Sequence, residues 1–189
     1  MPVLFVRIPE DRVGVLIGPK GSTKHAIESE TQSAIEIDPE EGEIRIASPD
    51  TDPIAAMKAR DITLAIGRGF SPERARRLLK DDTYLGVINI KEVTGKREKA
   101  ALWRIRSRLI GEGGRARERI EELSGCSMSV YGGTVALIGQ ETQLERATRA
   151  VEMLLHGSEH SVVFHMLARL RDTAALASAS TPLEIDDAE

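Results

Sequence analysis

The stretch Val13–Thr31, VGVLIGPKGSTKHAIESET, places Gly-Pro-Lys-Gly between two apolar patterns. Apolar residues recur at helical spacing on both sides of the glycines, so the stretch predicts two short helices. Glycines at both ends of this loop permit positive φ and leave the backbone bare. Two interpretations are open at this point: a sharp turn between helices, or a loop whose main chain binds an anion at the start of the second helix.

The order of elements around this loop occurs twice. The first copy predicts strand 3–8, helices 9–17 and 22–31, strands 33–38 and 43–48, and helix 50–68, capped at Asp50 or Thr51. The second copy predicts strand 86–93, helices 96–110 and 115–123, strands 126–130 and 134–138, and helix 142–156. An offset of 93 aligns Gly18 with Gly111 and Gly21 with Gly114. The chain is therefore predicted to contain a duplicated β-α-α-β-β-α unit.

Five segments follow from this repeat. They are a first domain at 1–70, a connecting helix at 71–83, a second domain at 84–157, a C-terminal helix at 158–177 and an acidic tail at 178–189. Ser71 and Pro72 suit the N-cap and first turn of the connecting helix. The tail is small, polar and acidic, which is typical of disorder.

A unit of this order with I-G-x-x-G between its first two helices resembles a type I KH domain. The resemblance implies an α+β fold, with a three-stranded antiparallel sheet packed on helices in each unit. It also implies that each G-x-x-G loop, written GXXG below, clamps the backbone of single-stranded RNA. The candidate RNA-binding residues are Gly18, Pro19, Lys20, Gly21, Ser22 and Lys24 in the first copy, and Gly111, Glu112, Gly113, Gly114, Arg115 and Arg119 in the second, joined by Arg97, Arg104 and Arg108.

KH domains hold bases in an apolar groove beside the loop. By position, the groove candidates are Val13, Ile17, Ile27, Ile35 and Ile37 in the first copy, and Ile105, Ile110, Ile120, Met128 and Val130 in the second. Each of these residues could equally be plain core. Trp103 lies off the inward face of its helix, where it could cover an inter-domain contact or touch RNA.

Charge is unevenly distributed along the chain. The net charge is −4, but residues 95–157 have a net charge of +3, and nine basic residues fall within 95–119. Arg97, Arg104 and Arg108 are spaced to form one stripe on a helix, which is either a solvated face or a phosphate-binding surface. Glu112 opposes RNA binding at the second loop. The basic residues around that loop nevertheless predict that the second copy contributes more RNA affinity than the first.

Several functional classes are disfavoured. Six aromatic residues, 3% of the chain, are too few for a protein that binds single strands by stacking on a sheet. The glycine spacing does not match a Walker loop. Cys126 is the single cysteine, and His156 and His160 lack a third ligand of metal type, so no metal site is expected. We expect no catalytic residues, no cofactor, no small-molecule substrate, no membrane span and no signal peptide, and hence a cytoplasmic protein.

The linker AIGRGFSPERARRLLKDD and the second-copy segment RLIGEGGRARERIEELSGCSMSVYGGTVALIG narrow the resemblance. They are similar to the archaeal relatives of the partner-of-Nob (Dim) and Krr pre-ribosomal RNA processing factors. This implies non-enzymatic binding of small-subunit ribosomal RNA (rRNA) near its 3′ end during ribosome biogenesis. The implied partners are a processing nuclease, an rRNA dimethyltransferase or a translation initiation factor. The alternatives are a regulator of messenger or translation-initiation RNA, and a scaffold that recruits processing enzymes.

Overall fold

A computed structural model describes residues 3–38, 42–49 and 52–179. The first unit consists of β1 (Val3–Arg7), α1 (Glu10–Ile17), α2 (Ser22–Thr31), β2 (Ala34–Ile37), β3 (Glu43–Ala47) and α3 (Pro53–Gly67). Its three strands form an antiparallel sheet in the order β1-β3-β2. Alternate residues such as Val6, Ile35 and Ile44 point to one face and are buried beneath the helices.

The second unit repeats this order with one additional short helix, α5 (Ile90–Thr94), after its first strand. It consists of β4 (Tyr84–Asn89), α5, α6 (Lys99–Ile110), α7 (Arg115–Ser124), β5 (Ser127–Tyr131), β6 (Thr134–Gly139) and α8 (Glu141–Leu155). Its strands form a second antiparallel sheet in the order β4-β6-β5. The predicted fold class, two type I KH units, is confirmed. Within the described ranges, no helix is long and apolar enough to cross a bilayer.

One partly buried hydrogen bond occurs at the same place in both units. The Glu28 carboxylate accepts from the backbone N–H of Ile35 at 2.8 Å, and Glu121, 93 residues later, accepts from that of Met128 at 2.5 Å. Each bond ties the second helix of its unit to the strand that follows.

The link between the units is shorter than predicted. Ser71 caps α4 (Pro72–Ala75) by accepting from the Arg74 N–H, and a 3₁₀ turn follows at Arg76–Leu79. Residues 80–83 form a turn, so the predicted helix over 71–83 is wrong beyond Leu79. Ala75 and Leu78 are buried, which fixes this short link against the first unit.

Two predicted boundaries in the second unit are wrong. The strand predicted at 86–93 ends at Asn89, because the Asn89 side chain accepts from the Lys91 N–H and starts α5. Ile90 is then fully buried as a helical residue. The helix predicted from Lys96 begins at Lys99. Gly95 ends α5 with φ +67°, and residues 96–98 connect it to the start of α6.

Two helix ends also differ from prediction. The cap of α3 is Asp52, whose carboxylate accepts from the Ala55 N–H at 3.0 Å, whereas the predicted caps Asp50 and Thr51 lie outside the described residues. The C-terminal helix, α9, spans His160–Ala179 and so extends two residues into the predicted tail. The remainder of that tail, 180–189, lies outside the described residues.

The outer face of the second sheet is covered by the first unit. Ala136 and Ile138 on β6 are fully buried in the apolar cluster that also contains Ile66, Phe70 and Leu78. Polar contacts surround this cluster: Arg77 donates to Ser127 at 2.5 Å, Ser129 donates to the carbonyl of Arg68 at 2.9 Å, and Tyr131 donates to Asp11. The two units therefore share one apolar interface.

The corresponding face of the first sheet is not covered in this way. Phe5 on β1 is 63% exposed, and it lies opposite Arg45, which pairs with Glu36 on β2 at 2.7 Å. The two copies thus have the same internal fold but differ in what covers the outer face of their sheets.

Candidate nucleic-acid interface

The two glycine loops have the same backbone geometry. Gly18 and Gly111 adopt φ +71° and +74°, both with ψ 176°. The third residue of each loop is left-handed, with φ +53° at Lys20 and +60° at Gly113. Each loop therefore turns the chain from one helix into the next along the same path, although their sequences differ.

The first glycine of each loop is required sterically. A Cβ on Gly18 would lie 2.9 Å from the Thr23 backbone nitrogen, and one on Gly111 would lie 2.8 Å from that of Ala116. Side chains at these positions would meet the first turn of the next helix. The third position differs, because a Cβ on Gly113 would meet nothing within 4 Å and Lys20 already occupies the equivalent place.

Each loop leads into a helix N-terminus that no side chain caps, where Gly21 and Gly114 precede the first turns of α2 and α7. The N–H groups of Ser22 and Arg115 close the loops by donating to the carbonyls of Pro19 and Glu112. The helix dipole at these N-termini favours an anion. Pro19 and Lys20 in the first loop, and Glu112 and Gly113 in the second, are exposed. A phosphate can therefore approach either loop.

Polar residues after the first loop are only partly available. Ser22 is exposed, whereas Lys24 is 3.5 Å from the Glu28 carboxylate. In the second unit, Arg115 is exposed at the equivalent of Ser22, and Arg119 is exposed but lies 2.7 Å from Glu122. The second loop thus compensates for Glu112 with an arginine at the first position of its helix.

The predicted base-groove residues divide into two sets. Five are 5% exposed or less and belong to the cores: Val13, Ile27, Ile35, Ile120 and Met128. Five are partly exposed: Ile17, Ile37, Ile105, Ile110 and Val130. A base can contact the second set without rearrangement of the core. Ile105 lines a separate groove beside Arg104 and Arg108, so the hypothesis of a base groove beside the loops narrows to the other four residues.

The arginine stripe lines a different groove from the one beside the strands. Arg97, Arg104 and Arg108 border a groove of about 920 Å³ between α6 and the end of α8, with Leu154 and Leu155 among its lining residues. Arg97 precedes α6 rather than lying on it, and both Arg97 and Arg104 are exposed. Both side chains can therefore contact a phosphate on this flank of the unit.

Arg108 connects the end of α6 to the turn between α8 and α9 through hydrogen bonds. Its guanidinium donates to the backbone carbonyls of Gly157, at 3.1 Å, and Ser158. Its own carbonyl is 2.9 Å from Nε2 of His160 at the start of α9. Arg108 therefore ties the end of α6 to the turn between α8 and α9, which makes it a structural residue as well as a predicted RNA ligand.

Replacing Arg108 with glutamine is expected to lower the free energy of unfolding by about 2 kcal/mol, because hydrogen bonds from a charged donor are worth ~1.5–3 kcal/mol. Arg104→Gln is the matched control on the same helix, and its exposed side chain predicts a change below about 0.5 kcal/mol. Urea denaturation followed by circular dichroism measures both. Equal stability of the two variants would contradict the structural role of Arg108.

Sequence reasoning missed Arg106. This residue lies with Trp103 and the turn residues Gly132 and Gly133 around a groove of about 540 Å³ on the strand side of α6. Arg106 donates to the Gly132 carbonyl at 3.4 Å, and Trp103 is 63% exposed, so Trp103 does not fill the inter-unit contact. The spacing in the sequence could have indicated this position, because Arg106 lies one helical turn before Ile110 and so on the same face of α6.

The described residues include two side chains with raised pKa values and no cluster of metal ligands. Cys126 is buried, and burial raises the pKa of its thiol to about 12, so the thiol stays protonated at neutral pH. The hydrogen bond to Asp11 raises the pKa of the Tyr131 phenol. Among residues 3–38, 42–49 and 52–179, no three His, Cys, Asp or Glu side chains could hold a metal ion together.

Both halves of the chain match family models. Residues 3–61 match the KH domain, and residues 84–172 match the eukaryotic type KH-domain, KH-domain type I. The second match extends past α8 into α9.

Similar proteins are found among the archaea. A KH domain-containing protein of Methanocaldococcus jannaschii is 45% identical over 169 residues, which cover 88% of this chain and 73% of the relative. The crystal structure of Dim2p from Pyrococcus horikoshii is 51% identical, with a TM-score of 0.84, covering 89% of this chain and 99% of that one. A second structure from P. horikoshii, a complex of a/eIF2α, aDim2p and rRNA, matches at 50% identity and a TM-score of 0.86, covering 91% of this chain and 95% of that one.

Proposed function

Because this chain belongs to the family of archaeal KH-domain proteins that includes Dim2p, we propose that it binds small-subunit rRNA near its 3′ end during ribosome biogenesis. RNA binding itself is the property of the KH domains, of which the chain has two. The observation that carries the proposal is the pair of exposed GXXG loops with matched backbones, each leading into an uncapped helix. A relative in a complex with rRNA supports the choice of RNA class.

The proposed mechanism is binding without catalysis. A phosphate approaches the bare backbone of each loop at the N-terminus of α2 or α7, where the helix dipole favours an anion. Lys20 in the first unit and Arg115 in the second add positive charge beside these donors. The bases then lie toward Ile17 and Ile37, or toward Ile110 and Val130, which are partly exposed beside the loops.

Protein partners are part of the proposal. The P. horikoshii relative was solved with a/eIF2α, which supports a translation initiation factor as a partner of this chain. A processing nuclease or an rRNA dimethyltransferase is the alternative partner that the family resemblance implies, and the cytoplasm is the proposed location. Pull-down of the tagged protein with and without ribonuclease separates direct protein contacts from those that RNA bridges.

Crosslinking of RNA in cells tests the substrate. Recovery of small-subunit rRNA reads concentrated at the 3′ end is expected. Reads dispersed over messenger RNAs would replace the proposal with a regulator of translation, and recovery of little RNA would favour a scaffold. In vitro, an oligonucleotide of the 3′-end sequence is expected to bind more tightly than a scrambled oligonucleotide of the same composition.

Binding is expected to weaken with added salt despite the net charge of −4. Each phosphate neutralised on a single strand changes the logarithm of the association constant by ~0.7 per tenfold change in salt concentration. Titration of a labelled oligonucleotide at several potassium chloride concentrations gives this slope. A flat response would contradict phosphate contacts at the loops.

A further inference from the structure

A pocket lies on the flank of the second GXXG loop that faces the C-terminal helix. Its volume is about 490 Å³, and it is bounded by the loop, by the first turns of α7 and by the first turn of α9. We call it the α7–α9 pocket, and its lining includes Gly111, Glu112, Arg115, Arg119, His160 and Phe164. The volume is within the range of pockets that bind small organic groups.

One wall of the pocket is aromatic. His160 and Phe164 are four residues apart on α9, so their side chains lie on the same helix face. Their ring centroids are 5.8 Å apart and the rings are tilted by 44°. The contact between His160 Nε2 and the Arg108 carbonyl fixes one ring, and Phe164 packs partly against the core of the second unit. The wall is therefore held in place by the fold.

The opposite wall is basic. Arg115 and Arg119 are also four residues apart, on α7, and both are exposed. Arg119 is engaged by Glu122 at 2.7 Å, whereas among the described residues no carboxylate lies within salt-bridge distance of Arg115. Arg115 is also the first residue of α7, whose N-terminus has no side-chain cap. A phosphate at that helix start could be contacted by Arg115 and by the loop backbone together.

This combination of walls suits one nucleotide. A base of any sequence has a flat face that stacks on an aromatic ring, and its phosphate suits an arginine. We propose that the α7–α9 pocket binds one nucleobase of the strand held by the second loop, stacked on Phe164, with its phosphate at Arg115. The inference rests on the proposed RNA binding and extends the bound strand past the loop onto α9.

Among the described residues, the segment that follows the first unit, residues 72–79, has no aromatic side chain to correspond to His160 and Phe164. The last helix of the first unit, α3, ends at Gly67, and the chain turns through Gly69, at φ +96°, into the short helix α4. The aromatic wall of the second unit comes from α9, which begins five residues after α8 ends. The additional nucleotide is therefore specific to the second unit.

A length series tests the proposal. Oligonucleotides of one rRNA 3′-end sequence, shortened one nucleotide at a time, are titrated against the full chain and against Phe164→Leu. For the full chain, affinity is expected to rise about tenfold at the length that first reaches the pocket. Phe164→Leu keeps an apolar side chain but removes the ring, so this step is expected to disappear while binding of the shorter strands is unchanged.

Two further variants control for indirect effects. Phe164→Tyr keeps an aromatic ring and is expected to restore the step, whereas Val162→Ala changes an exposed residue of the same helix and is expected to leave it intact. An abasic nucleotide placed at each position in turn, with the unmodified protein, locates the stacked base without any substitution. The step is expected to disappear when the abasic nucleotide is the one whose addition produced the rise in affinity in the length series.

The outcomes separate this inference from the proposed function. Equal length steps in the full chain and in Phe164→Leu, with no position sensitive to base removal, would overturn the pocket and leave RNA binding intact. Absence of RNA binding by the full chain at every length would overturn both. A pocket occupied by a protein partner would show the first of these results and would be detected as Phe164-dependent pull-down that survives ribonuclease.

Discussion

Replacement of Phe70 by alanine is expected to lower the free energy of unfolding by about 3–5 kcal/mol, the usual cost of truncating a buried phenylalanine. Phe70 is 1% exposed, in the apolar cluster that Ala136 and Ile138 of the second sheet complete. Arg74 lies over its ring, 5.3 Å from the centroid. The substitution therefore opens a cavity at the interface on which both units depend.

Phe5→Ala is the matched control for this measurement. The same atoms are removed, but Phe5 is 63% exposed, so the expected change is within about 0.5 kcal/mol. Urea denaturation followed by circular dichroism measures the two variants beside the unmodified chain. If Phe70→Ala were no more harmful than Phe5→Ala, the shared interface would not contribute to stability.

The second large effect is expected at the glycine loops. Changing Pro19 and Lys20 together to aspartate is expected to weaken RNA binding about a hundredfold, because two carboxylates then lie where phosphates approach. Like charges at close range repel by ~1–4 kcal/mol per pair near a protein surface. Glu112→Asp with Gly113→Asp gives the second loop the same two aspartates, although its charge then changes by −1 where that of the first loop changes by −3. Aspartate tolerates the left-handed conformation that Lys20 shows is accessible.

A variant that adds positive charge to the second loop completes the experiment. Glu112→Lys removes the one acidic side chain from the second loop and is expected to tighten binding severalfold. Dissociation constants for one 3′-end oligonucleotide at one salt concentration, with melting temperatures for every variant, are sufficient. Unchanged affinity of both aspartate variants with unchanged melting would contradict RNA binding at the loops.

The same measurements compare the two units. The charge pattern predicts a larger contribution from the second, but Arg108 cannot be used to test this, because its guanidinium binds the carbonyls of Gly157 and Ser158. Arg104→Gln with Arg115→Gln tests the second unit without disturbing that contact. A greater loss from the first-loop variant would make the first unit the main RNA clamp.

Much of the fold could be predicted from the sequence because local signals and the repeat agreed. The helix predicted at 22–31 has those bounds in the structure, since a glycine and a left-handed residue delimit it. The prediction of a strand as far as Val93 was wrong, because it followed the apolar alternation and gave too little weight to the Asn89 side chain, which caps α5. Short elements are decided by single hydrogen bonds, which periodicity does not report.

The candidate site was harder to predict. The glycine loops were identified because their backbone requirement appears directly in the sequence, as glycine. The flank on which each arginine lies was not, because it depends on how α8 and α9 pack on α6. Arg106 and Arg108 are two residues apart, yet one faces the strand side and the other binds the turn before α9. The α7–α9 pocket likewise needs two helices brought together by the tertiary fold.

The unequal covering of the two sheets has a consequence for work on truncated proteins. A fragment that begins at β4 would leave Ala136 and Ile138 facing water, together with neighbouring Leu85, where the first unit now covers them. Such a patch favours self-association. Loss of RNA binding by that fragment would therefore report aggregation rather than the affinity of the second loop. The RNA affinity of each unit is therefore best measured by point substitutions in a chain that contains both units, because the first unit covers the sheet of the second.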